Sequence, residues 1–229
     1  MSNVLFYLGC GAGTGFVYAA YTLIKPILVP PIHRYPWQIP SADDNYNQRQ
    51  REKNMTVVIA GSYNPPHRGH LAMISHLAQR YDKVLVVVGM NPNKKYAVTP
   101  HQRADLLRTM LHGLPNVDVH VVAGYIWRFA KPQGGQIFFR GIRTWKKDGA
   151  EERNLQILNT WGPLLLGPLW WPIPTQFLEG KPEYNHISST LIRELCAQSD
   201  FCMEKIHELV PESIAQEVVK LYGTDPQSG

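Results

Sequence analysis

Two histidines, His67 and His70, stand three residues apart around Gly69, between a short apolar run and an amphipathic stretch. The run Met55–Ile59 before them is typical of a buried parallel strand, and residues 71–78 after them have the periodicity of a helix. The histidines are therefore predicted to lie where a loop enters a helix. Free backbone N–H groups and the positive end of the helix dipole attract anions there, and a glycine lets a large anion approach. This pattern favours a site that holds a nucleotide phosphate while a second group attacks it.

Three further segments place charges or hydroxyl groups at expected strand ends or helix starts. Residues 91–95 (Asn-Pro-Asn-Lys-Lys) follow one apolar run, residues 140–143 (Arg-Gly-Ile-Arg) follow another, and residues 187–190 (Ile-Ser-Ser-Thr) open a late helix. Lysine and arginine neutralise phosphates, and Ser or Thr at a helix start stands beside free N–H donors. Each segment alone has an ordinary explanation as a solvated turn or a helix cap. Their common placement on one edge of one sheet predicts a single phosphate-binding site.

Apolar runs and amphipathic stretches alternate through most of the chain. The runs predict five strands, near residues 55–59, 83–88, 117–122, 136–139 and 175–178. Helices are predicted at residues 71–78, from Thr99 onwards, and at 125–130, 148–159, 188–197 and 211–221. Thr99 and Gln102 have the spacing of a capping box, with Pro100 at the first helical position. This alternation predicts an α/β fold, a doubly wound parallel five-stranded sheet of the Rossmann-like type. Ligands of such sheets bind at the carboxyl ends of the strands.

The composition narrows the class of function. With 229 residues, 44% hydrophobic and 18% charged, the chain suits one globular domain with additional segments. The formal net charge of +5 suits anionic small molecules, and the absence of a long Lys/Arg tract argues against nucleic acid. The three cysteines have neither disulfide nor metal-ligand spacing, so we expect no metal held by the protein and a reducing compartment.

Together, the four segments resemble the phosphopantetheine adenylyltransferase family of HxGH nucleotidyltransferases, over about residues 55–221. Asn-Pro-Asn-Lys-Lys and Arg-Gly-Ile-Arg are the family-specific parts. The other two segments are shared with nicotinate mononucleotide adenylyltransferases, which often carry histidine at the position of His67, so this residue favours that second family. The resemblance implies adenylyl transfer from ATP to 4′-phosphopantetheine, giving dephospho-coenzyme A and pyrophosphate, with Mg²⁺ bound mainly to the ATP phosphates.

The resemblance also implies a role for each matching residue. Ser62, Lys94 and Arg140 are expected to bind the acceptor phosphate, and His70 is expected to stabilise the α-phosphate of ATP during the attack. His70, Lys94 and Arg140 make up the expected catalytic set. The nucleotide is expected to contact His67, Gly69, His70, Gly141, Arg143, Asp148, Glu152, Ser188, Ser189 and Thr190. Asp148 and Glu152 match only if one residue is inserted before Asp148, and acids that favour a helix N-terminus are the alternative explanation.

Residues 4–24 contain no charged side chain and are about long enough to cross a bilayer. The first positive charges follow this segment, which predicts an uncleaved membrane anchor with the domain on the cytosol- or matrix-like side, most readily at the mitochondrial inner membrane. A targeting peptide is the alternative. Four glycines have the G-x-x-x-G spacing that lets membrane helices approach closely: Gly9, Gly11, Gly13 and Gly15.

The predicted organisation is an anchor (1–25), a proline-rich and polar linker (26–54), a nucleotidyltransferase-like domain (55–223) and a short tail (224–229). Residues Trp161–Pro174 have no clear match in the family, and are either a loop packed on the domain or an apolar surface that contacts a membrane or partner protein. The anchor, the glycines and this segment favour a second function, an accessory subunit of a membrane complex that retains the enzyme fold. The retained His70, Lys94, Arg140 and Arg143 favour the enzyme.

Overall fold

A computed structural model describes Gly15 and residues 17–19, 21–37, 52–90, 96–198 and 203–223. Within these residues the chain forms one parallel sheet of six strands in the order β1-β6-β5-β2-β3-β4. The strands are β1 (Ile32–His33), β2 (Glu52–Gly61), β3 (Tyr81–Met90), β4 (Val117–Ala123), β5 (Gly135–Ile142) and β6 (Thr175–Glu179). The predicted α/β class with a Rossmann-like parallel sheet is therefore confirmed.

The described helices begin with α1, which includes residues 21–28 and, before them, residues 17–19. The others are α2 (Arg68–Arg80), α3 (Pro100–Met110), α4 (Ile126–Ala130), α5 (Trp145–Leu165), α6 (Ser189–Cys196), α7 (Met203–Leu209) and α8 (Glu212–Tyr222). Four of them, α2 to α5, connect consecutive strands, as parallel pairing requires.

The central strands β2 and β3 are covered on both faces. Val57 and Val58, which point to opposite faces of the sheet, are both fully buried, and so are all five residues from Val84 to Val88. Continuous apolar runs of this kind are expected only where helices cover both sides of a parallel sheet. The central strands hold the carboxyl end of β2, from which the His67–His70 loop departs, in a rigid position.

The start of α3 has the predicted capping geometry. The Thr99 hydroxyl accepts a hydrogen bond from the backbone N–H of Gln102 (3.3 Å), and the Gln102 side chain accepts one from the backbone N–H of Thr99 (2.9 Å). Pro100 follows at the first helical position, where its missing N–H costs nothing.

The sheet has one strand more than the five predicted. Ile32 and His33 form β1, which pairs in parallel with β6 through Phe177 and Leu178. Two residues among prolines are too short a run to be recognised from periodicity, and the sheet edge tolerates the neighbouring prolines. Trp37 adds a hydrogen bond from its indole Nε1–H to the carbonyl of Glu179 (2.7 Å).

The prediction that the protein is anchored in a membrane is wrong. Across the part of the chain that the structure describes, no helix is long and apolar enough to cross a bilayer. Helix α1 ends at residue 28 and lies against the domain, where the Gln156 side chain donates a hydrogen bond to the carbonyl of Pro26 (3.0 Å). Residues 4–14, 16 and 20 of the predicted anchor, with three of its four glycines, lie outside the described residues.

Helix α5 is longer than predicted and includes the first part of Trp161–Pro174. Gly162 allows close packing, because a Cβ atom there would lie 2.4 Å from the Trp127 ring. Later in the segment Ile173 is buried, whereas Leu165 and Leu169 are more than 70% exposed. The segment therefore combines a packed part with exposed apolar side chains.

Candidate functional site

A cavity of about 240 Å³ lies at the carboxyl end of β5, between the N-termini of α2 and α6. Nine of the ten residues predicted to contact the nucleotide line it: His67, Gly69, His70, Gly141, Arg143, Asp148, Glu152, Ser188 and Ser189. The fold thus brings three distant sequence segments together around one space. Thr190 is not among the lining residues, and its hydroxyl accepts a hydrogen bond from Arg193 (3.2 Å).

The two histidines are stacked, with ring centroids 3.7 Å apart and an angle of 30° between the rings. His67 caps α2, and its backbone N–H donates to Nδ1 of His70 (3.2 Å). An accepting Nδ1 carries no proton, so the neutral His70 ring has its proton on Nε2. Burial and the neighbouring His67 hold the pKa of His70 well below its usual range. His70 is therefore a neutral ring whose Nε2–H is available as a hydrogen-bond donor.

The surroundings of the histidines are tightly packed. Burial lowers the pKa of His67 to about 4, and its Nδ1 is buried without a hydrogen-bond partner in the structure. A Cβ atom at Gly69 would lie 3.1 Å from that same Nδ1, so glycine leaves room for the imidazole. Tyr63 contacts the His70 ring edge-on, with centroids 4.9 Å apart. These contacts hold both rings in one orientation at the N-terminus of α2.

Arg143 is paired with Asp148 at the edge of the cavity. Its Nη2 and backbone N–H lie 2.6 Å and 2.7 Å from the two carboxylate oxygens. Burial alone would raise the pKa of Asp148, but the hydrogen bonds and charge of Arg143 hold that pKa below its usual value. The hydrogen bond to Asp148 also raises the pKa of Arg143. Both groups are therefore ionised, and the N–H groups on Nη1 of Arg143 are left for a ligand.

Arg140 is bound in a different way. Its Nε and Nη2 donate to the two oxygens of Glu152, each at 2.7 Å, and its Nη1 donates to the carbonyl of Ala60 at 2.7 Å. Burial opposes its charge, but the hydrogen bonds and charge of Glu152 outweigh this and raise the pKa of Arg140. Of the five N–H groups of the guanidinium, two are not used in these bonds. They are the groups that could bind an acceptor phosphate.

The residues predicted for the acceptor phosphate are less completely described. Ser62 is exposed and lies just beyond Ala60, the residue that Arg140 contacts. Its carbonyl accepts a hydrogen bond from the buried Arg103. Neither Ser62 nor Arg140 lines the cavity, and Lys94 lies outside the described residues.

The hydroxyl groups at the start of α6 are occupied by protein contacts. Ser188 caps the helix by accepting from the backbone N–H of Leu191 (3.1 Å), and Ser189 donates to the carbonyl of Pro65 (2.7 Å). Their side chains thus fix the helix start against the loop before His67. The free N–H groups of this helix start, rather than the hydroxyl groups, are the available phosphate donors.

Several cavity residues were missed by the sequence analysis. They come from four elements or connections: Met73, Ile142, Glu151, Gly180, Tyr184, Asn185 and Ile187. A Cβ atom at Gly141 would lie 2.6 Å from the sulfur of Met73, and one at Gly180 would lie 3.1 Å from Oδ1 of Asn185. That oxygen is buried and has no hydrogen-bond partner in the structure. Ile142 and Ile187 lie within two of the predicted segments, but no sequence signal marks the other five residues, because only the tertiary fold places them beside the cavity.

Among the described residues, no group of three or more His, Cys, Asp or Glu side chains could hold a metal ion. The carboxylates of Asp148 and Glu152 at the cavity already accept hydrogen bonds from arginines.

Comparison with known proteins identifies the family. The cytidylyltransferase-like family matches residues 58–195, more than half of the chain. The phosphopantetheine adenylyltransferase of Gloeothece citriformis is 30% identical over 168 residues, which cover 73% of this chain and 99% of that protein. The proteins of the same name from Neisseria meningitidis and Symbiobacterium thermophilum are 31% and 34% identical, over 71% and 61% of this chain and 91% and 81% of their own lengths.

A solved structure, the nicotinic acid mononucleotide adenylyltransferase of Plasmodium falciparum complexed with NaAD, aligns with a TM-score of 0.48 at 13% identity. The alignment covers 72% of this chain and 94% of that one. The family assignment rests on the sequence matches, and the family match at residues 58–195 spans all three segments that line the cavity. The chain belongs to the cytidylyltransferase-like family and, within it, to the phosphopantetheine adenylyltransferases.

Proposed function

We propose that this protein transfers the adenylyl group of ATP to 4′-phosphopantetheine, producing dephospho-coenzyme A and pyrophosphate. One observation carries the proposal most directly. The His67–His70 loop, the Arg140–Arg143 segment and the start of α6 meet around a single cavity at the sheet edge where α/β enzymes bind nucleotides. The relatives that this chain matches along nearly all of their length are phosphopantetheine adenylyltransferases.

The proposed reaction is an in-line displacement without a covalent enzyme intermediate. An oxygen of the acceptor phosphate attacks the α-phosphorus of ATP, and the bond between that phosphorus and the oxygen leading to the β-phosphate breaks. Pyrophosphate leaves with the bonding electrons. The acceptor is already anionic, so the enzyme needs no strong base, and its task is to align two anions and neutralise the charge that develops.

Each part of the site has a proposed task in this reaction. The Nε2–H of His70 donates to an oxygen of the α-phosphate, and a neutral ring that cannot ionise easily remains in that donor form across the physiological pH range. Arg143 and the N–H groups at the start of α6 hold the β- and γ-phosphates. Arg140, together with Ser62 and Lys94, holds the acceptor phosphate.

We further propose that Mg²⁺ enters with ATP, bound mainly to its phosphates. The donor set of the cavity fits this arrangement, because two of its three acidic side chains, Asp148 and Glu152, already accept hydrogen bonds from arginines, and no group of three described side chains could hold a metal ion. Mg²⁺ would supply additional neutralisation of the leaving pyrophosphate.

The proposal is tested by pyrophosphate release from ATP with and without 4′-phosphopantetheine. We expect release only with the acceptor, and we expect His70→Ala to lower kcat by about a hundredfold, as the loss of one electrostatic stabiliser does. His101→Ala is the matched control, because His101 is an exposed histidine on α3 outside the cavity, and its rate should equal that of the wild type. Turnover with nicotinate mononucleotide in place of 4′-phosphopantetheine would identify nicotinate mononucleotide as the acceptor, as in the nicotinate mononucleotide adenylyltransferases.

One observation supports a second candidate function, that of an accessory subunit in a larger protein assembly. Leu165, Leu169 and Trp171 are exposed at the end of α5 and in the connection to β6. Exposed apolar side chains of this kind are typical of protein contacts. If neither acceptor is turned over and the native protein migrates with a large assembly on a native gel, this candidate replaces the enzyme.

A further inference from the structure

The loop that carries the histidines is held by the C-terminal helices, which lie beyond the residues matched by the family. The family match ends at residue 195, whereas α7 and α8 span Met203–Leu209 and Glu212–Tyr222. The Tyr222 hydroxyl, at the end of α8, donates a hydrogen bond to Oδ1 of Asn64 (2.7 Å). Asn64 is only 3% exposed and lies three residues before His67.

A second, independent contact comes from inside the HxGH segment. Arg68 occupies the variable position, and its Nε and Nη2 both donate to the carbonyl of His207 in α7 (3.2 Å and 2.8 Å). That carbonyl belongs to the last turn of the helix, where carbonyl groups lack intrahelical partners and attract a cation. The two contacts fix the loop both before and after His67.

The C-terminal helices are themselves firmly placed. Ile214, Ala215 and Val218 of α8 and Ile206 of α7 are buried in the same hydrophobic core as β2 and α2. A hydrogen bond from a rigid helix to a loop restricts the loop more than a bond from another loop does. The groups that contact this loop, the Tyr222 hydroxyl and the His207 carbonyl, thus lie more than a hundred residues away in the chain.

We propose that Tyr222 and Arg68 are positioning residues for adenylyl transfer, which hold the Asn64–His70 loop on α7 and α8 so that the His70 ring and the start of α2 face the phosphates of ATP. The expected effect on kcat rests on the proposed function, whereas the expected effect on ATP affinity requires only that the cavity binds ATP. Neither residue lines the cavity. They act through Asn64 and through the helix start that Arg68 belongs to.

The first test uses Tyr222→Phe, which removes one hydroxyl group and leaves the ring in place. We expect ATP affinity, measured by calorimetry without acceptor, and kcat with 4′-phosphopantetheine each to fall about threefold to tenfold, the effect of one neutral hydrogen bond. The matched control is Tyr125→Phe, because Tyr125 is 38% exposed and stacks on Trp127 away from the cavity. The thermal unfolding midpoints of the two variants should agree within about 2 °C.

A double-mutant cycle separates positioning from general stability. If Tyr222 acts through Asn64, then Tyr222→Phe combined with Asn64→Ala should be no worse in ATP affinity than Asn64→Ala alone. Asn64→Asp keeps an acceptor oxygen for the Tyr222 hydroxyl and should retain at least half of the wild-type affinity. Arg68→Gln provides a second variant for the α7 contact and should weaken ATP binding to a similar extent.

The outcomes distinguish this inference from the proposed function. The positioning role would be overturned if the ATP affinity and kcat of Tyr222→Phe were within about 1.5-fold of those of Tyr125→Phe. It would also be overturned if the losses in ATP affinity multiplied in the double variant. In both cases, turnover by the wild type would still support the proposed function. A wild type that binds ATP but turns over no acceptor would overturn the function, and the calorimetric comparison would still decide the positioning role. A wild type that does not bind ATP would overturn both.

Discussion

The two arginines of the Arg140–Arg143 segment differ in how they are held, although each is paired with a carboxylate of the same helix, α5. The side chains of Arg140 and Glu152 are 20% and 10% exposed, and Arg140 also binds the carbonyl of Ala60. The side chains of Arg143 and Asp148 are 51% and 19% exposed. One pair is thus part of the interior between β2, β5 and α5, and the other lies at the cavity edge.

This difference separates two tasks that the sequence pattern alone presents as one. A buried ion pair whose partner is removed leaves a charge without compensation, which costs several kcal/mol, whereas an exposed pair contributes little. We therefore interpret Glu152 chiefly as the residue that orients Arg140 towards the acceptor. In the proposed reaction, the more exposed Arg143 exchanges part of its contact with Asp148 for the phosphates of ATP. Direct contacts of Asp148 and Glu152 with the nucleotide, implied by the family resemblance, stay predictions.

The largest expected effect is on stability, from Glu152→Gln. The substitution leaves the Arg140 charge unpaired, and we expect unfolding in urea to show a loss of about 2–3 kcal/mol, less than a fully buried pair loses because Arg140 retains some exposure. Glu151→Gln is the control on the same helix, since Glu151 is exposed, and it should lose less than about 0.5 kcal/mol. Equal stability of the two variants would show that the pairs do not differ in the way we infer.

The second prediction concerns ligand binding and tests whether the two arginines bind different ligands. Arg140→Ala should weaken 4′-phosphopantetheine binding more than ATP binding, and Arg143→Ala should do the reverse. Each loss is expected to be about tenfold to a hundredfold, because a charge-assisted hydrogen bond contributes about 1.5–3 kcal/mol. Lys94→Ala should behave like Arg140→Ala. Calorimetric titration of each ligand measures this, and equal losses for both ligands in all variants would mean that the division of the site is wrong.

The smallest effect is the pH dependence of the exposed pair. The pKa of Asp148 is lower in the folded protein than its ordinary value of 3.8. Its stabilisation is therefore fully present above about pH 4 and is lost as the pH falls through the folded-state pKa. Asp148→Asn should reduce the free energy of unfolding at pH 7 by less than about 1 kcal/mol, and the difference from the wild type should shrink below pH 4. A difference that grows on acidification would contradict the assigned sign.

The sequence predicted best the features that depend on neighbouring residues. The central strands β2 and β3 were expected because Val57, Val58 and residues 84–88 form continuous apolar runs, and the cap at Thr99 was expected from its spacing to Gln102. The candidate phosphate-binding segments were recognised because histidine, arginine and Ser/Thr stand where strands end or helices begin. The family assignment followed from the same segments and is confirmed by the comparisons.

The membrane prediction shows the opposite case. A charge-free segment of about 21 residues is long enough for a bilayer, but that length says nothing of what the chain packs against. In the structure, Pro26 lies in contact with Gln156 and Leu23 is 9% exposed, so the described end of the segment rests on the protein itself. The strand β1 was missed for a related reason, since two residues at a sheet edge are recruited by the exposed hydrogen-bonding groups of β6 rather than by their own pattern.

The sequence alone was enough to predict the α/β class, the parallel sheet, three segments that meet at one cavity and the family, because apolar periodicity, caps and motif spacing are local properties of the chain. Three features could be seen only in the tertiary structure. They are the pairing of each arginine with its carboxylate, the contacts of Tyr222 and Arg68 that connect the histidine loop to the C-terminal helices, and the remaining residues that line the cavity. These contacts join residues up to 158 positions apart. They depend on hydrogen-bond geometry and burial, which exist only once the sheet and its helices have packed together.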